Sequence, residues 1–184
     1  MPSPAASIAS VRKALRRFRR NRRGSAAVEF ALVAPVFFAL LFAIIETGIV
    51  FFADQVLETG VQDTGRLLYT SQTQKAGTSQ IDFKQGLCDR VAVLFACDNL
   101  YVDVRSYAPG TAITISDPID GGGNFVNNFV YQPPLLNSSN TVVVRAFYQW
   151  PLFVTGLGYN IANIGRGSTN SSRLLSATAA FLPQ

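Results

Sequence analysis

Arg22-Arg23-Gly24-Ser25-Ala26-Ala27-Val28-Glu29-Phe30 is the stretch from which the organisation of this 184-residue chain can be read. A run of arginines ends at a glycine, and a lone carboxylate then opens a hydrophobic segment. Downstream, Phe30 to Ile45 are sixteen uninterrupted apolar residues, Pro35 included, and the run resumes after Glu46, Thr47 and Gly48 with Ile49 to Phe52. Twenty-three helical residues rise roughly 35 Å, against a hydrocarbon core of about 30 Å. The segment therefore reads as a transmembrane helix.

Upstream the picture is electrostatic. The formal charge of +5 is unevenly placed, because eight of the sixteen Lys and Arg lie between Arg12 and Arg23 and no acidic residue precedes Glu29. From residue 25 onward, eight basic and eleven acidic side chains leave −3. Only Arg66 lies within about twenty residues of the far end of the span, so the positive-inside rule keeps the N terminus cytoplasmic and sends the rest across. The resulting division is a basic cytoplasmic leader over 1–24, a transmembrane helix over 25–52 and a periplasmic domain over 53–184. DNA binding by the basic tail is disfavoured, since the tail sits against the inner leaflet and has no aromatic platform.

Other export signals fit less well. A cleaved secretory signal needs small residues before its cut, and around Ala53 the place is taken by Phe51. The Arg16-Arg17 pair is followed by Phe18 and further arginines, unlike a twin-arginine signal. An unprocessed anchor explains the charge and the span but leaves Gly24 and Glu29 unexplained. A carboxylate in a membrane segment costs about 2.5 to 3.5 kcal/mol near the centre and less near the interface, and so asks for a partner.

The stretch Gly24 to Pro35, with Ile44-Ile45-Glu46-Thr47-Gly48 as a second acidic position at the helix end, resembles the start of TadE-like minor pseudopilins of the tight-adherence (Flp, type IVc) pilus system. The resemblance covers about thirty residues well, and the later part only in outline. It implies cleavage by a prepilin peptidase between Gly24 and Ser25, making Glu29 the fifth residue of the mature chain. It also implies that Glu29 and Phe30 lie at an assembly site where the carboxylate meets a new α-amino group, and that the partners are other pilins, the assembly machinery and inner-membrane lipid. The alternative is an unprocessed, single-pass anchored periplasmic binding module.

Beyond the span, Leu57, Val61, Thr64 and Leu68 keep helical spacing, so the helix is expected to continue as a stem to about Tyr69, followed by a polar connection over 71–79. Ser79 with Asp82 resembles a capping box, and Phe83, Leu87, Val91 and Leu94 predict a second helix over 80–95. Period two then takes over at Leu100, Val102 and Val104, at 142–150 and at 173–181, with 112–115 as a possible fourth strand. Residues 117–140 read as loop. The expected fold is α+β, with a three- to four-stranded antiparallel sheet covering the stem, which is also the pilin plan.

Cys88 and Cys97, an even count in a domain placed in the periplasm, suggest a disulfide. Two buried thiols or a bridge to another chain are the alternatives. Nine residues of unbroken helix would hold the two about 13.5 Å apart, whereas bridged Cα atoms lie about 4.4 to 6.8 Å apart, so a bridge requires the second helix to end before Cys97. The chain has no histidine, which removes Ser-His and Cys-His nucleophiles and the usual zinc ligands. Neither catalysis, a metal, a cofactor nor nucleic acid is expected.

Overall fold

The computed structural model describes residues 24–68, 79–133, 139–157, 159–168 and 170–182. The leader up to Arg23 and residues 71–78 of the polar connection lie outside the described residues. Helix α1 spans Ser25–Leu67, α2 Gln80–Val91, and strands β1 Leu100–Tyr107, β2 Thr141–Pro151 and β3 Ser172–Phe181 complete the regular elements. Two compact units meet between Phe42 and Ala43, within α1.

In the first unit, α1 from Phe30 to Phe42 is apolar all round. Phe30, Leu32, Val36, Phe37 and Leu40 each stay more than half exposed, and at 100° per residue they point in different directions. A helix with no polar face is solvated by lipid or by other helices, not by water. Pro35 lies inside it, a position membrane helices tolerate. By length and composition α1 could cross a membrane, and it is the one such helix among the described residues.

From Ala43 onward α1 changes character. Ala43, Glu46, Val50, Ala53, Leu57, Val61, Thr64 and Leu68 are buried, spaced at three and four residues as one helical face requires. The stem stripe expected at Leu57, Val61, Thr64 and Leu68 is thus present, and it starts well before Phe52.

Helix α2 begins where the capping box places it: the Ser79 side chain accepts from the Asp82 amide, and the Asp82 carboxylate accepts from the Ser79 amide. It ends at Val91, earlier than residue 95, with Ala92 as its C-cap and a turn in which the amides of Leu94 and Phe95 share the Val91 carbonyl. Phe83, Leu87 and Val91, one turn apart, are its buried face.

The sheet has three strands in the order β1-β2-β3, all antiparallel. Residues 112–115 are irregular and add no strand. On one face, Leu100, Val102, Val104, Val142, Val144, Ala146, Leu175 and Ala177 join the α1 and α2 stripes in the main core. The opposite face is also covered: Phe147, Ile164 and Leu174 pack with Tyr101, Ile119, Phe125 and Phe129 in a second cluster. The segment expected as open loop over 117–140 supplies much of this cover. It closes a small bridge between Ile119 and Phe125 and runs parallel to β1 at Val104 and Tyr131.

Candidate functional site

At the start of α1, Gly24 immediately precedes the first helical residue, Ser25. A Cβ built on Gly24 meets nothing within 4 Å, and its backbone is not among the positive-φ glycines. Nothing among the described residues therefore requires a glycine there. Further along the same helix the opposite holds: a Cβ on Gly60 would lie 2.6 Å from Val91 Cγ1, and one on Gly65 would collide with the Phe181 ring. Those two glycines let α2 and the end of β3 approach the helix.

Glu29 follows Ser25 by one helical turn, about 6 Å along the axis and about 40° round it. Its side chain is exposed, as is that of Phe30 at 69%. Among the described residues Glu29 has no hydrogen-bond or ion-pair partner, and a carboxylate in an apolar membrane-type helix is costly unless it is paired.

Glu46 has a different fate. The second acidic position, at the end of the apolar run, it is buried. Its carboxylate accepts hydrogen bonds from the amides of Phe153 and Val154, at 3.2 Å and 3.3 Å from the latter to Oε1 and Oε2. These amides open the short 3₁₀ turn Val154–Leu157, and its first N–H groups have no partner within the turn. Thr47 lies beside it, donating to the Ala43 carbonyl at 2.8 Å and lying 3.2 Å from the Tyr159 hydroxyl. The sequence signal was available: Glu46 lies on the same helical face as Val50, Ala53 and Leu57.

A second buried polar group was missed altogether. Asp103 and Arg145, on the sheet face that period-two reading assigns to solvent, are 1% and 3% exposed. Arg145 Nη2 and Nε donate to Asp103 Oδ2 at 2.6 Å and 3.0 Å, while Arg105 Nε reaches both carboxylate oxygens at 3.1 Å. Arg145 also stands 5.2 Å from the centre of the Phe147 ring, within cation–π range. Beyond it, Asp120 ties the turn through Gly122 and Asn124, and the Asn124 backbone N–H, before its side chain, holds the Asp120 carboxyl below its ordinary 3.8.

Cys88 and Cys97 are joined, with Cα atoms 5.6 Å apart. The turn after Val91 makes this possible.

The model of the TadE-like protein family matches residues 24–66. The match takes in Gly24, Ser25, Glu29, Phe30, Glu46 and nearly all of α1. No curated protein and no solved structure matches.

Proposed function

We propose that this chain, TadE-like over residues 24–66, is a minor pseudopilin of a tight-adherence pilus. It is held in the bacterial inner membrane by α1, with its leader cytoplasmic and its sheet domain periplasmic. A prepilin peptidase cuts between Gly24 and Ser25, so the protein is a substrate and a structural subunit, not an enzyme. The carrying observation is the family match that opens at Gly24, the residue immediately before α1. Two further facts support it: the fold places no steric demand on Gly24, and the α1 residues that follow have no polar face.

After the cut, the Ser25 amine is a new cation one turn from Glu29. In lipid, either charge left alone costs several kcal/mol, so Glu29 selects helices that carry a free processed terminus, its own or a neighbour's. Partners are thereby other processed pilins and the assembly machinery. The alternative of an unprocessed binding module gains no support from Phe125 and Phe129, whose rings pack on Tyr101 and Phe147.

Mass spectrometry of the protein from peptidase-competent membranes tests the proposal. A chain beginning at Ser25 is expected. Retention of residues 1–23 would overturn it.

A further inference from the structure

We infer that the folded unit stands directly on the lipid surface, with Phe153 and its adjoining turn as a foot in the headgroup layer and the hydrocarbon core ending on α1 near Glu46. The inference rests on the reading of α1 as a membrane span, and it places the exit earlier than Phe52, where hydropathy puts it. Ser25 to Ala43 rise about 27 Å as helix, close to the roughly 30 Å of a hydrocarbon core. From Ala43 on, one side of α1 is covered by protein, which a bilayer cannot accommodate without a polar backbone entering lipid.

Phe153 supplies the level. Its amide is held by Glu46, so the foot lies beside that turn of α1, yet its ring is 83% exposed. Ile45 and Ile49, within a turn of Glu46 on α1, are 47% and 46% exposed, and Tyr159, tied to Thr47, is 42% exposed. Tyrosine concentrates where a bilayer meets water, and phenylalanine is among the apolar side chains with which peripheral segments enter that boundary. The stretch from Pro151 to Gly165 carries no charged residue, which suits a surface continuous with the span. The arrangement also explains how a carboxylate can sit at the helix exit: the amides of the foot enclose Glu46 on the protein side, so lipid never meets the charge. Phe51 and Phe52, about 8 to 9 Å further along, fall within the headgroup layer.

Nitroxide accessibility in the full chain tests this. The described residues contain no free cysteine, so a single introduced cysteine takes the label. Phe37→Cys, Phe153→Cys and Val93→Cys are reconstituted in vesicles of phosphatidylethanolamine and phosphatidylglycerol, and collisions with oxygen are compared with those of a neutral nickel chelate. Val93 is 93% exposed just after Val91, which packs at Gly60, about 21 Å above Glu46 along α1. The ratio of oxygen to chelate collisions should be highest at 37, lowest at 93 and intermediate at 153. A ratio at 37 as low as at 93 overturns the span reading itself. With 37 in lipid, a ratio at 153 as low as at 93 overturns the foot alone, and shielding of 153 from both reagents overturns it in favour of a contact between subunits.

Discussion

Asp103 stands directly opposite Arg145 in the β1–β2 ladder, and their side chains meet in an ion pair closed to water. The pair also fastens the cover of the sheet. Asp103 Oδ1 accepts the Val130 amide at 2.9 Å, and Arg145 Nη1 donates to the Ser116 carbonyl at 2.9 Å, so the covering segment is held near both ends. Asp103→Ala leaves a buried guanidinium unpaired and should cost about 3 to 5 kcal/mol, whereas replacing both residues with apolar ones of similar volume should cost far less. Denaturant unfolding followed by the fluorescence of Trp150, the only tryptophan in the chain, measures both. Equal losses would show that the charges are not coupled.

Gly24 and Gly60 separate processing from packing. Gly24→Leu meets open space, so unfolding should be unchanged while loss of the leader is blocked. Gly60→Val thrusts into Val91 and Leu87 and should cost about 1 to 3 kcal/mol by overpacking, with cleavage unaffected. Thermal melts beside mass spectra of the same membranes distinguish the two.

Glu29→Ala should leave insertion and most cleavage intact, because the residue lies beyond the scissile bond and the leader charges remain. Co-purification with other pilins and piliation should fall. A cleaved Glu29→Ala protein that assembles and supports pili like wild type would remove the amine-pairing role.

The Cys88–Cys97 bridge closes a loop across a sequence separation of 9, worth roughly 2.5 to 3 kcal/mol by the chain-entropy estimate. The double Ser variant should lose about that much. Alkylation of the unreduced, denatured wild type should find no free thiol, and two thiols per chain would contradict the pairing.

Burial, and secondarily the Asp82 carboxylate, push the Tyr131 hydroxyl up to about 12 from 10.0. Because the folded state binds this proton more tightly than the unfolded state, the contribution is complete below pH 10 and is lost as pH rises through about 12. Wild type should therefore lose stability in that window. Tyr131→Phe should lack this component, and phenolate absorbance should show one fewer late-titrating group.

Much of this fold was legible in local patterns. Ser79 and Asp82 placed the start of α2 because a capping box is complete within four residues, and Leu57 to Leu68 revealed the stem because a buried face repeats with the helix. What lay hidden was tertiary. Period two could say that Asp103 and Arg145 leave the main core but not that Ser116 and Val130 return to bind them. Residues 112–115 had strand-like composition and found no partner strand. The burial of Glu46 was hidden because hydropathy averages over all sides of a helix, whereas burial selects one. At the proposed processing site the reading of Gly24 rests on sequence alone, because the fold places no demand on it.

The close approach of Gly65 to Phe181 joins the first helix of the folded unit to its last strand. The stripe on α1 emerges early in synthesis, whereas Phe181, at the end of β3, is among the last of the described residues to appear. The folded unit is therefore completed only after nearly the whole described chain has been made, and until then part of the apolar stem stays uncovered.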